Sequence, residues 1–242
     1  IIEDNVATRG GGGIYITRNS NATIENCTIR DNSGFIGGGI VVIGTSTASI
    51  SDCLIEGNTS EEHGAGVHVT QTSTLNMQDV VVQANEATMY GGGVNGNERS
   101  QLNLNRVQII ENRGGSGGGL CARTEAVCML QNVAIINNWT SSSGGGIMTA
   151  EGYIEATNCT IIGNSSENEA GGYYASGGSS EFEKCLFSDN ESATSGAIFL
   201  FGAEGSFTNC TIANNNVNES AEIWMLNGIL SMLNTIVWND ER

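Results

Sequence analysis

Apolar and polar residues alternate along this chain in short bursts. Ile14 and Ile16 flank Tyr15, Ala22 and Ile24 flank Thr23, and Cys27 and Ile29 flank Thr28. Period-two alternation over so few residues predicts short strands, and the Gly, Asn and Ser residues between the bursts predict turns. The bursts recur. Asparagine stands at 5, 32, 58, 85, 112, 138, 164, 190 and 215, with gaps of 27, 26, 27, 27, 26, 26, 26 and 25, and Asp240 continues the register. Glycine runs followed by an aliphatic residue keep the same step, from Gly11-Gly12-Gly13-Ile14 through Gly91-Gly92-Gly93-Val94 to the degenerate Ser195-Gly196-Ala197-Ile198. A fixed period of this length marks a solenoid. Three strands of two to four residues per repeat leave no room for a helix. Each coil therefore turns through three sides and lands about 4.8 Å above its start. The expected fold is all-β: a right-handed parallel β-helix of about nine coils, 25–27 residues each, forming a rod roughly 43 Å long. The whole of 1–242 forms one domain. Its inner ladder is Ile29, Ile55, Val82, Ile109, Ile135, Ile161, Phe187, Ile212 and Val237.

One rival fold shares the spacing. Ile24, Cys27, Ile29 and Asn32 fit the leucine-rich-repeat pattern. That repeat needs an apolar residue two positions after the Asn and then a helical segment. Here the position holds Gly34, Ser60, Ala87, Gly114, Thr140, Ser166 and Ser192, and glycine triplets follow. Each glycine costs a helix about 1 kcal/mol relative to Ala, which disfavours this fold. Calcium-binding nonapeptide repeats are excluded because their Asp after the Gly is missing.

The recurring residues have structural explanations. An Asn amide directed into a turn bonds backbone groups that no strand satisfies, and stacked amides bond one another. The glycine triplets mark a bend needing positive φ or close approach of coils, and they lack the Lys-Ser/Thr or following helix of a phosphate loop. Five of the seven cysteines (Cys27, Cys53, Cys159, Cys185 and Cys210) share one inward column with Val80, Val107, Val133 and Thr235. Cysteine exchanging with Val and Thr behaves as a small buried hydrophobe, and no C-x-x-C pair points to zinc or redox chemistry. Cys121 points outward and Cys128 inward, against a bridge between them. Nine N-x-S/T sequons occur; Asn58, Asn138, Asn164 and Asn190 lie in the ladder, whereas Asn21 and Asn218 lie in loops and are the candidate glycan acceptors.

Composition narrows the partners. The formal charge is -17, with 26 acidic residues against eight arginines and Lys184, so nucleic acid is not expected as a partner. No apolar run of about 18 residues occurs, so no membrane insertion by this segment is expected. The opening Ile1-Ile2-Glu3-Asp4 is no signal peptide and reads as the interior of a longer protein, and the acidity with a single lysine points to an extracellular setting.

Phe187-Ser188-Asp189-Asn190 followed by Ser195-Gly196-Ala197-Ile198 resembles the repeats of polymorphic outer membrane proteins, first recognised in chlamydial surface proteins and present in other secreted right-handed β-helices. The resemblance spans essentially all of the chain, with Ile or Val preferred to Phe before the Asn and Gly to Ala in the triplet. It implies an extracellular passenger with adhesive or structural duties.

Many β-helices degrade polysaccharides, so a lyase, a hydrolase or a carbohydrate-binding module is the functional alternative. Such enzymes cluster carboxylates in a groove, often with a basic residue or calcium. His63, in a turn, and His68, on an outer face, have no nucleophile or metal partner at a readable spacing. Glu61-Glu62, Glu167 with Glu169, and Glu181 with Glu183 read as solvated surface. No catalytic, cofactor or metal residue is assigned. Two outward columns are apolar: Tyr15, Val41, His68, Asn95, Cys121, Met148, Tyr174, Phe199 and Trp224 after the glycines, and Thr28, Leu54, Val81, Gln108, Ala134, Thr160, Leu186, Thr211 and Ile236 in the third segment. The expected function is a non-catalytic rod of a surface protein or fibre. It is expected to associate with itself, a partner protein or a glycan through uncapped ends and these columns, centred on Met148, Tyr174, Phe199 and Trp224.

Overall fold

The structure, a computed structural model, describes residues 1–217 and 221–239. Among them every strand is parallel to its neighbours, no helix occurs, and the chain climbs coil by coil. Each complete coil contributes to four sheets. In the second coil the strands are Ile14–Ile16 (sheet 1), Asn21–Glu25 (sheet 2), Thr28–Arg30 (sheet 3) and Ser33–Gly34 (sheet 4). Sheets 1, 2 and 4 have nine strands, and sheet 3 has ten. The expectation of three strands per coil is corrected here. The fourth strand has only two residues, too short for alternation to register. Its inward position is the one two residues after the Asn, and it must be small: a Cβ on Gly34 would lie 2.0 Å from the carbonyl oxygen of Gly37.

The inner ladder stacks as the period requires: Ile29 pairs with Ile55, Ile55 with Val82, and Ile212 with Val237. Ile29, Ile55, Val82, Ile109, Ile135, Ile161, Phe187 and Ile212 are fully buried. Each contributes about 1.5–3 kcal/mol relative to an exposed side chain. Toward the upper coils the core turns aromatic, with Phe182 stacked flat on Phe207 at 5.2 Å and edge-on to Phe187 and Tyr173. All seven cysteines are free. The column thiols lie among core side chains and give weak bonds to backbone carbonyls, as Cys210 does to Phe182 at 3.3 Å. Cys121 and Cys128 are both fully buried.

Turn chemistry follows from backbone conformation. A single left-handed residue joins sheet 2 to sheet 3 in each coil: Asn26, Asp52, Asp79, Arg106, Asn132, Asn158, Lys184, Asn209 and Asn234, with φ between 49° and 55°. Asn and Asp tolerate that conformation best among residues with a Cβ. The repeated Asn-Cys-Thr sequons thus arise from a turn requirement next to the cysteine column.

The asparagine ladder is continuous. Asn85 gives its backbone N–H and its Nδ2 to Oδ1 of Asn112 at 3.0 and 2.9 Å, and Asn112 repeats this with Asn138 at 2.9 and 3.0 Å. The amide of each also bonds a carbonyl from the coil below, as Asn112 does with Val82. From Asn32 to Asn190 these residues are completely buried, so the sequons at Asn58, Asn138, Asn164 and Asn190 offer no acceptor surface.

Candidate functional site

Sheet 2 carries a groove on the outside of the rod. In the interior coils its five-residue strands bury their second and fourth residues and turn three columns outward, of which the third- and fifth-position columns matter here. One is Thr23, Ser49, Asn76, Asn103, Met129 and Glu155; the other is Glu25, Ser51, Gln78, Asn105, Gln131 and Thr157. These columns line a groove of about 690 Å³ floored by Ile50, Met77, Leu104 and Leu130. It crosses six coils, or about 24 Å. Its middle is a run of neutral amides and hydroxyls: Asn103 Nδ2 donates to Asn76 Oδ1 at 2.8 Å and Gln101 Nε2 to Asn103 Oδ1 at 3.3 Å. The two carboxylates lining it, Glu25 and Glu155, stand at opposite ends. Glu155 pairs in register with Glu181 on the next coil.

The column after the glycines was expected to be an apolar outer surface, and the structure corrects this. Val41, His68, Asn95, Cys121, Met148 and Phe199 are buried although they point away from the core. The glycine turn of the same coil folds back over them. A Cβ on Gly91, at φ +63°, would sit 2.7 Å from Cβ of Asn95, and one on Gly144 would sit 3.0 Å from Cβ of Met148. Tyr174, Phe199 and Trp224 do form a row of ring contacts, edge-on at 5.5 Å and tilted at 5.4 Å, but of the three only Trp224, 38% exposed, is open. The final coil is exposed and apolar, with Ile229, Leu233, Ile236 and Trp238 open, and at the opposite end Val6, Tyr15 of the column after the glycines and Phe35 are open as well. The third-segment column from Thr28 to Thr211 is mostly half-buried. Asn21 is exposed and opens a strand rather than sitting in a loop. Asn218 and Asp240 lie outside the described residues.

Under the same turns the structure assembles a polar cluster that spacing did not reveal. His68, expected on an outer face, is 3% exposed, and its Nδ1 meets Nδ2 of Asn95 at 2.9 Å. His63 packs against His68 and Tyr90 at 5.7 and 5.4 Å, and the Arg123 guanidinium lies 3.7 Å over the Tyr90 ring. Burial, with Arg123 and His63 nearby, pulls the His68 imidazole down to about 3. Burial pushes the Cys121 thiol up to about 12, so it is no nucleophile at neutral pH. Stacking neighbours 26 or 27 positions apart was the signal that could have found the His68–Asn95 pair. The His63–Tyr90–Arg123 contacts depend on turn conformation, which the repeat does not state.

Four parallel sheets, a buried asparagine ladder and an open polar face define a parallel β-solenoid. The comparison with known families agrees: residues 1–116 and 92–237 match the right-handed beta helix region, and the chain belongs to that family. No curated protein and no solved structure matches it.

Proposed function

We propose that this chain is an extracellular, non-catalytic rod of the polymorphic outer membrane protein type, and that it holds an extended neutral glycan along the groove on sheet 2. The groove itself carries the reading. It runs across six coils, and its central rungs offer Asn76, Gln78, Asn103, Asn105 and Gln131 as paired donors and acceptors suited to sugar hydroxyls. The rung spacing is close to the length of one sugar unit, so successive amides meet successive rings. With a formal charge of -17 and no basic residue in its lining, the groove disfavours acidic polysaccharides. A non-catalytic role is supported by the separation of Glu25 from Glu155, since a glycosidase pair needs carboxyls about 5–10 Å apart.

Affinity electrophoresis and calorimetry with neutral cello-, xylo- and manno-oligosaccharides, beside polygalacturonate, test this. We expect binding to a neutral chain, weakened at least about tenfold in the double variant Gln78→Ala/Asn103→Ala, each lost charge-free hydrogen bond being worth about 0.5–1.5 kcal/mol. Failure to bind any neutral oligosaccharide, or undiminished binding by the variant, would overturn it. The hydrolytic alternative has one observation in its favour, the stacked pair Glu155 and Glu181 at the groove's end. Product release that disappears in Glu155→Gln would replace the binding reading with that one.

A further inference from the structure

The third glycine of each triplet has a specific neighbour. A Cβ built on Gly39, Gly93, Gly146 or Gly172 would lie 3.0–3.3 Å from the side chain of the ladder residue of its own coil: Asn58, Asn112, Asn164 and Asn190 respectively. A side chain in this column points into the ladder. The column reads Gly13, Gly39, Gly66, Gly93, Gly119, Gly146, Gly172, Ala197 and then Glu222, the last two placed by the pairing of Tyr173 with Ile198 and Ile198 with Ile223. Seven glycines, one alanine and then a long carboxylate is an abrupt departure.

The hydrogen bonds show what the departure does. In the coils below, each ladder asparagine gives its backbone N–H and Nδ2 to Oδ1 of the next one, as Asn190 does to Asn215 at 3.0 and 2.8 Å. Asn215 gives the same two donors to Glu222, its N–H to Oε1 at 3.2 Å and its Nδ2 to Oε2 at 2.7 Å. Glu222 is only 8% exposed, and its own carbonyl accepts from Ala197 and Ile198 as the glycine carbonyls do elsewhere. Thus the backbone of residue 222 keeps the coil geometry while its side chain takes the place of an asparagine.

We infer that Glu222 is a built-in terminator of the asparagine ladder: from within its own coil it fills the acceptor position that a tenth ladder asparagine would occupy, so that none can stack on Asn215. A glutamate in the glycine column and an asparagine eighteen residues later exclude each other, because both aim at one space. The next position in register is Asp240, a second carboxylate, which lies outside the described residues. As an aspartate it has no amide with which to continue the ladder. The rod therefore carries its ladder stop in the sequence, independent of what the sheet-2 groove binds.

Hydrogen exchange followed residue by residue tests the assignment. In Glu222→Ala the Asn215 amide is expected to exchange about tenfold faster or more, while Asn85 and Asn112 keep their protection. Glu222→Gln, which retains an acceptor, is expected to preserve most of it. The swap Glu222→Gly/Asp240→Asn restores glycine and ladder asparagine together and should recover protection of Asn215 even if Glu222→Ala frays the last coil altogether. Gly172→Glu, the same side chain in an interior coil, should unfold the rod locally around Asn190. Unchanged Asn215 exchange in Glu222→Ala, no recovery in the swap, or a Gly172→Glu chain as stable as wild type would each overturn the inference.

Discussion

His68 shows how far a single side chain departs from what its position in the repeat suggests. Alternation turns it outward, yet the glycine turn covers it and Asn95 is its hydrogen-bonding neighbour. The protonated ring would be a desolvated charge beside Arg123, so the folded state holds the imidazole neutral down to about pH 3. The unfolded chain takes up that proton near pH 6.5. Between these values the unfolded state binds more protons, so stability falls as pH drops from about 6.5 toward 3, by a few kcal/mol over the window. Denaturant unfolding at pH 7 and pH 4.5 should show this loss in wild type and a smaller one in His68→Val. Equal losses in both would show that the imidazole carries none of it.

The coil is the element of this fold, and most of it was legible. Inner strands announced themselves because Ile24, Cys27 and Ile29 recur at a fixed step, and Asn32 and its successors marked the ladder turn. Two things were not legible, for physical reasons. The fourth strand, Ser33–Gly34 and its partners, has small buried residues because a neighbouring carbonyl leaves no space, and small residues carry no hydrophobic signal. The covering turn hid for the opposite reason: glycine triplets were visible, but which face they lie over depends on φ, as at Gly91. The groove on sheet 2 had no signal of its own: Asn76, Gln78, Asn103 and Asn105 are polar outward residues like those of any solvent face, and concavity belongs to the backbone. Coils are joined most specifically by the ladder, so Asn112→Ala is the informative element-scale variant. It deletes the acceptor for the N–H and Nδ2 of Asn85 and the donor to Val82. Chemical denaturation should report a loss of about 1–3 kcal/mol, dominated by the buried N–H of Asn85 left unpaired. A loss near zero would mean that water reaches the turn and the ladder is not load-sharing between coils.

At the scale of the whole molecule, every strand pairing among the described residues is with the coil above or below, as in other solenoids. The period therefore predicted the global shape better than the local detail, and the same arrangement has a mechanical consequence. The strands run across the rod, so their backbone hydrogen bonds lie along it, between stacked coils. Ile2 belongs to the first strand of sheet 3 and Trp238 to the last. A force applied through these two points pulls each bond along its own direction instead of shearing many at once. The rod should peel from an end, one coil per rupture, each releasing about 26 residues and lengthening the chain by roughly 85 Å. A single-molecule pulling trace should be a sawtooth of evenly spaced, low-force peaks. One tall peak followed by full extension would mean that the coils share load as a block. A tether built this way yields by paying out length under tension, and it recovers by rewinding onto the coils still in place.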